Sequence, residues 1–177
     1  MSASRPARLA GMAALAALGW LAILIGLAPI DARAAAWPAP DLLFGVVACF
    51  VVRRPSSSPA ALILALGLVR DVLGGGPAGL GALTLWAAAE YLRFHRDRFI
   101  RSPLAEAGAL AAFSLLLPFA HLVAMTALFA PSPPLSVLAL GAVSTFAAAL
   151  AIRVLLVHLL RIGGESVENH RLIGRAR

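Results

Sequence analysis

The sequence predicts an all-α integral membrane protein in which six transmembrane helices form a compact bundle. The first observation behind this prediction is composition: of 177 residues, 61% are hydrophobic and 13% are charged, whereas a soluble domain has about 45–50% apolar and about 25% charged residues. The second observation is a mean hydropathy of +0.91. Because the polar residues are too few to cover a globule in water, we expect the phase outside the protein to be lipid.

Apolar runs along the chain define the six spans. A helix needs about 20 apolar residues to cross a hydrocarbon core about 30 Å thick. The spans are placed at about 9–28, 36–52, 58–73, 78–92, 104–130 and 135–160, with a short cytoplasmic tail at 163–177. The segments between them are short and rich in Pro and Gly, which end helices. We therefore expect residues 1–177 to form a single membrane domain whose consecutive helices are antiparallel.

The distribution of arginines tests the span count independently of hydropathy. The chain has 15 basic residues, all of them arginine. With six spans, all except Arg33 and Arg70 fall in the N-terminal segment, in the second and fourth loops, or at the end of the last span and in the C-terminal segment, which share one side. Since basic loops stay cytoplasmic, both termini are predicted to be cytoplasmic. A signal peptide cleaved near Ala35 is the alternative for the first span, but its apolar run is longer than the usual core of about 7–15 residues.

Several functional classes fit the sequence poorly. The net charge of +7 comes from arginines at the ends of spans, so it indicates topology and attraction to anionic lipid rather than a nucleic-acid partner. Gly74, Gly76 and Gly79 match the spacing G-x-G-x-x-G, but this fingerprint binds dinucleotides only between a strand and a helix. The single cysteine, Cys49, excludes an intramolecular disulfide and a thiolate metal cluster. We therefore predict no cofactor and no metal.

Four acidic residues lie near the predicted spans. Asp41 and Asp71 belong to the outer half of the membrane, where they can meet, and Glu90 and Glu106 belong to the inner half. Asp41 also stands at the start of a helix, where a carboxylate is favourable. No nucleophile motif or close carboxylate pair accompanies these residues, so the protein is not expected to be an enzyme.

His121 lies in the fifth span near Pro118 and is a possible intramembrane polar site. An ionisable residue inside a membrane is by default a functional hypothesis. The alternative is structural: a neutral His121 that hydrogen-bonds to a neighbouring helix beside the proline.

The stretch 67–83 has a glycine and aspartate at every fourth position: Gly67, Asp71, Gly75 and Gly79. Residues four apart share one face of a helix, so Gly67 and Asp71 are expected to form one narrow stripe. This spacing favours a tight turn between the third and fourth helices over a phosphate-binding loop, for which the chain also lacks a lysine.

The chemistry of that turn follows from its residues. We expect Gly74–Gly76 to leave the helix with positive φ and Pro77 to stand in the first turn of the next helix. Asp71 is expected to accept backbone N–H groups from the turn, while Arg70 pairs with Asp71 or reaches the membrane interface.

These residues resemble the signature of the rod shape-determining MreD family, in which Gly-Leu-x-x-Asp is followed by Gly, then Pro-x-Gly-Leu and Ala-Leu. The matching residues are Gly67, Leu68, Asp71, Gly75, Pro77, Gly79, Leu80, Ala82 and Leu83. Upstream, Pro40 and Asp41 are similar to the Pro-Asp pair that opens the family's second helix. The resemblance covers about residues 37–101 and departs from the family at Arg70, where an apolar residue is expected.

The resemblance implies a non-enzymatic scaffold of the bacterial elongation machinery, located in the cell inner membrane. Its implied partners are MreC, docked directly through a membrane helix, MreB, and RodA with its penicillin-binding transpeptidase. It also implies a fold similar to the six-helix substrate-binding component of energy-coupling vitamin transporters. The alternative function is therefore a small-molecule transporter component of that fold.

Overall fold

The computed structural model describes residues 5–28, 39–74, 77–127 and 134–159, which form helices and turns and contain no strand. The predicted all-α class is therefore confirmed. Several predictions fall outside these residues: the cleavage site near Ala35, the conformation of Gly75, and the cytoplasmic tail at 163–177.

Within the part of the chain that the structure describes, three helices are long and apolar enough to cross a membrane. They are α1 (Arg5–Leu27), α6 (Pro103–Ala127) and α7 (Leu135–Val154), the last continuing into a π-helical turn at Leu155–Leu159. Their exposed side chains are mostly apolar, including Leu116 and Phe119 on α6. These features indicate a membrane-embedded protein.

Three helices at the remaining predicted spans are shorter. They are α2 (Leu42–Arg53), α3 (Ala60–Leu73) and α4 (Leu80–Phe94), with 12, 14 and 15 residues. At 1.5 Å per residue each is about 18–23 Å long, which is less than a typical hydrocarbon core. A 3₁₀ turn, Pro55–Ser57, lies between α2 and α3.

A seventh helix, α5 (Arg96–Arg101), lies in a segment that we expected to be a loop. Its sequence explains why it is helical. Asp97 occupies the first turn and Arg98 the last turn, as the helix dipole favours. Phe99 is buried, and it fixes this short basic helix against the bundle.

The six longer helices alternate in direction between two ends of the bundle. We call one end the motif end; it holds Asp41, Arg70, Asp71 and Gly79. The other is the arginine end; it holds Arg53, Glu90, Arg93, Glu106 and Arg153. Residues that the sequence assigned to the outer half thus lie at one end, and those assigned to the inner half lie at the other.

Helix α2 occupies the centre of the bundle. Ten consecutive residues, from Leu43 to Val52, are buried, because α2 packs against α1, α4 and α7. A helix enclosed on all sides must be apolar on all sides, and this one carries no polar side chain between Asp41 and Arg53 except the thiol of Cys49. Cys49 is buried in this core, as expected of a small hydrophobic residue.

Helices α3 and α4 approach most closely at Gly67. A Cβ atom at this position would lie 2.6 Å from the Cα atom of Ala82, so any side chain there forces the two backbones apart. Gly67 therefore allows the two helices of the resembled motif to form a tight hairpin.

Gly67→Ala is expected to lower the free energy of unfolding by about 1–3 kcal/mol, the usual cost of overpacking a core. The measurement is thermal or denaturant unfolding of the purified protein in detergent. Gly108→Ala is the matched control, because a Cβ at Gly108 in α6 has nothing within 4 Å and alanine favours a helix. Equal stability of the two variants would show that the α3–α4 contact is not tight.

Candidate functional site

The shortness of α2 leaves a cavity at the motif end. The backbone N–H of Asp41, which precedes α2, donates to Thr145 Oγ1 at 3.0 Å. Thr145 lies well inside α7, which begins at Leu135. At a rise of 1.5 Å per residue, the start of α2 is therefore displaced by about 15 Å along α7 from the start of that helix, towards the arginine end. The described parts of α3, α4, α6 and α7 line an open cavity of about 360 Å³ beyond this point.

Six polar or charged side chains line the cavity: Asp41, Arg70, Asp71, Thr84, His121 and Thr145. Apolar residues, among them Leu117, Pro118 and Leu138, form the rest of its wall. A concave, largely apolar site with a few convergent polar groups is typical of small-molecule binding. The cavity also gathers three residues that the sequence singled out separately: Asp41, Asp71 and His121.

Arg70 joins the two aspartates. Its Nη1 donates to Asp41 Oδ2, and its Nη2 lies 3.4 Å from Asp71 Oδ1. The expectation that Asp41 and Asp71 can meet is confirmed, although they meet through Arg70 rather than directly. The residue that departs from the resembled family is therefore the one that links α2 to α3.

Asp41 also caps α2. Its Oδ1 accepts a hydrogen bond from the Phe44 N–H at 3.0 Å, which satisfies one of the donors that a helix N-terminus leaves free. The preceding residue, Pro40, lines a second cavity of about 250 Å³ between α1 and α2. The ion pair of Asp41 and Arg70 separates the two cavities, since both residues line each of them.

Asp71 caps the next helix from a distance. Its Oδ2 accepts hydrogen bonds from the Gly79 N–H at 3.2 Å and the Ala82 N–H at 3.0 Å. Gly79 occupies the N-cap position of α4, and glycine has no side chain with which to cap a helix. The buried carboxylate of Asp71 supplies that missing acceptor from α3, which confirms the expectation that it accepts N–H groups from the turn.

The turn itself differs in detail from the prediction. Gly74 ends α3 in the right-handed region, with φ −81°, so the expectation of positive φ is wrong there; Gly75 and Gly76 lie outside the described residues. Among the described residues of the turn, Gly79 is left-handed, with φ +93°.

Pro77 does not stand in the first turn of a helix, as we had expected. Helix α4 begins three residues later, at Leu80, whose N–H donates to the Pro77 carbonyl at 3.2 Å. Pro77 therefore belongs to a turn that precedes α4.

His121 is partly buried on α6 and lines the cavity three residues after Pro118, which lies inside the helix. The cross-helix hydrogen bond considered for it is not formed with any other residue that the structure describes. His121 is therefore available to a cavity occupant, in contrast to Asp71, whose oxygens are engaged.

The arginine end contains a buried ion network that we did not predict. The Glu106 side chain, 3% exposed, lies 2.6 Å from Arg53 Nη2 and 2.9 Å from Arg153 Nε. This network ties α2, α6 and α7 together. The sequence shows a carboxylate at the start of one span and arginines at the ends of two others. Which arginines pair with the carboxylate depends on how the helices pack, and the sequence does not give that packing.

Other arginines at this end bind backbone carbonyls. Arg93 pairs with Glu90 and donates to the Ser58 carbonyl, and Arg96 Nε donates to the Val52 carbonyl at 2.9 Å. The last carbonyls of a helix have no intrahelical partners, so basic side chains near them stabilise the helix end.

Fold and site together define the class of the protein: an all-helical membrane-embedded chain with a polar cavity at one end of its bundle. Within the described residues no group of three or more His, Cys, Asp or Glu side chains is placed to hold a metal ion. Comparison with protein-family models, curated proteins and solved structures gave no match.

Proposed function

We propose that this chain is a non-enzymatic membrane scaffold of the rod-shape complex, which docks MreC and helps to organise lateral peptidoglycan synthesis. The main support is the structural role of the residues that resemble the family motif. Gly67 lets α3 and α4 approach, Asp71 caps α4, and Gly79 supplies the left-handed turn. The motif residues thus form a closely packed joint between α3 and α4, which suits a docking protein.

The proposal includes six spans in a bacterial inner membrane, with both termini cytoplasmic. In its support, α2, α3 and α4 run between the same two ends as the three long helices. Local thinning of the bilayer accommodates short helices at a modest cost, and α2 is enclosed by its neighbours. The arginine end, with Arg53, Arg93 and Arg153, is then the cytoplasmic face.

MreC is the proposed direct partner, with MreB, RodA and its penicillin-binding transpeptidase in the same complex. Membrane helices associate through close packing of small residues. Each long helix offers exposed small residues to such a partner: Ala13 and Ala17 on α1, Gly108 and Ala112 on α6, and Ala147 and Ala151 on α7.

The test is copurification of MreC with the tagged full-length chain from native membranes. Ala17→Leu, Gly108→Leu and Ala147→Leu place the same side chain on one exposed position of each long helix. We expect one of the three to lose MreC while its unfolding temperature stays unchanged, which identifies the docking helix. Absence of MreC from the wild-type preparation would count against the scaffold.

A second candidate function is the substrate-binding component of a small-molecule transporter, of the vitamin type, with a similar six-helix fold. The cavity of about 360 Å³ at the motif end favours it. Mass spectrometry of the purified protein distinguishes the two functions: a stoichiometric small molecule without MreC supports the transporter component, and MreC recovery supports the scaffold.

A further inference from the structure

We propose that the cavity at the motif end binds an organic ammonium ion with an apolar body. This inference does not depend on the scaffold function; if the second candidate function holds, it names the class of substrate.

The charge of the residues that line the cavity determines whether a cationic or an anionic ligand is favoured. Two carboxylates, Asp41 and Asp71, share the single guanidinium of Arg70, so these three described side chains carry one negative charge in excess. In a medium of low dielectric constant such an excess strongly attracts a cation. An anion would find in Arg70 a guanidinium that is already paired with two carboxylates.

The free hydrogen-bond acceptors identify the residue that meets the ammonium group. Each Asp71 Oδ2 lone pair is engaged by a backbone N–H, and the side chain is only 7% exposed. Asp41 is 25% exposed, and each of its oxygens accepts one bond, although a carboxylate can accept about four in total. Asp41 is therefore the acceptor that is open to a ligand.

The remaining wall fits an apolar body. Leu117, Pro118, Val137 and Leu138 line the side of the cavity formed by α6 and α7. The volume of about 360 Å³ is in the range of sites for small ligands, about 300–1,000 Å³. A ligand with an ammonium group at one end and a ring or short acyl segment at the other matches both parts of the site.

The test uses three probes of the same shape: 2-phenylethylamine, 2-phenylethanol and phenylacetate, each titrated into the full-length protein in detergent. A ligand that binds the folded state raises the unfolding temperature in a concentration-dependent manner. We expect the amine to raise it, the alcohol to raise it less, and the acid to leave it unchanged. An equal or larger effect of phenylacetate would overturn the proposal.

Three variants locate the site. Asp41→Asn keeps the helix-capping oxygen but removes the excess charge, and we expect about tenfold weaker amine binding or more, because a charge-assisted bond is lost. Asp97→Asn removes the same charge from the exposed surface of α5, and it should bind the amine like the wild type. Leu138→Phe narrows the cavity without changing its charge and should also weaken binding. Wild-type affinity in both cavity variants would refute the site.

The ammonium group can come from a soluble amine or from an ethanolamine lipid headgroup. Native mass spectrometry of the protein from nanodiscs of mixed phosphatidylethanolamine and phosphatidylglycerol separates these sources. Selective retention of phosphatidylethanolamine that is lost in Asp41→Asn indicates the lipid, and amine binding without such retention indicates a soluble ligand. Selective retention of phosphatidylglycerol at this site would contradict the proposal.

Discussion

Glu106→Gln is expected to lower the free energy of unfolding by about 3 kcal/mol, because breaking a buried ion pair leaves an uncompensated charge. Here the substitution leaves two cations, Arg53 and Arg153, whose side chains are only 12% and 24% exposed. This value is at the lower end of the range for buried pairs, because the Arg153 side chain is 24% exposed and water compensates part of its charge. Unfolding of the purified protein in detergent measures the change.

Two comparisons make that result specific to the network. Glu90→Gln removes a carboxylate whose side chain is 37% exposed, and exposed pairs contribute only about 0.2–1 kcal/mol, so a small loss is expected. The double variant Glu106→Gln with Arg153→Gln should recover part of the stability, since it removes one of the stranded cations. A loss for Glu106→Gln no greater than that for Glu90→Gln would mean that the network is not buried in solution.

Local features of the chain were predictable because short-range chemistry determines them. The role of Asp71 follows from its spacing to the glycines, since a carboxylate near the start of a helix finds free N–H groups. Asp41 and Asp71 lie at the opposite end of the bundle from Glu90 and Glu106, and this placement follows from the alternating direction of the spans. These inferences need only the order of elements along the chain.

Features that depend on packing were not predictable. The partners of Glu106 lie on two other helices, and no sequence spacing relates them. The cavity arises because α2 begins about 15 Å along α7 from the start of that helix, and this offset follows from the packing of α2 against α7. Gly79 rather than Gly74 has positive φ, because the distant carboxylate of Asp71 decides where α4 begins.

Arg70 shows how a departure from a resembled pattern can carry information. From the sequence it was an unusual polar residue at the end of an apolar helix. In the structure it bridges Asp41 and Asp71 and lines both cavities. The two carboxylates would repel each other without it, so Arg70 is what allows them to share one polar site.

Asp71→Ala is expected to lower the free energy of unfolding by about 2–3 kcal/mol. The substitution leaves the N–H groups of Gly79 and Ala82 without their acceptor, and each buried unsatisfied donor costs about 1–3 kcal/mol. It also removes one of the two partners of Arg70. Unfolding in detergent and the yield of folded protein are the measurements.

Asp71→Asn separates the capping role of this residue from a role in function. The amide oxygen can still accept from both N–H groups, although the amide nitrogen cannot replace Oδ1 as a partner of Arg70. We therefore expect a loss of about 1 kcal/mol, smaller than that of Asp71→Ala because the two donors stay satisfied. If the residue acts only as a cap and the chain is the proposed scaffold, cells that carry Asp71→Asn should keep rod shape, and MreC should copurify at the wild-type level. Loss of rod shape at a normal amount of folded protein would contradict this, because the joint between α3 and α4 would be intact while the function was lost. In that case the charge of Asp71 itself would be required, and the cavity that it shares with Asp41 and Arg70 would be the place where that charge acts.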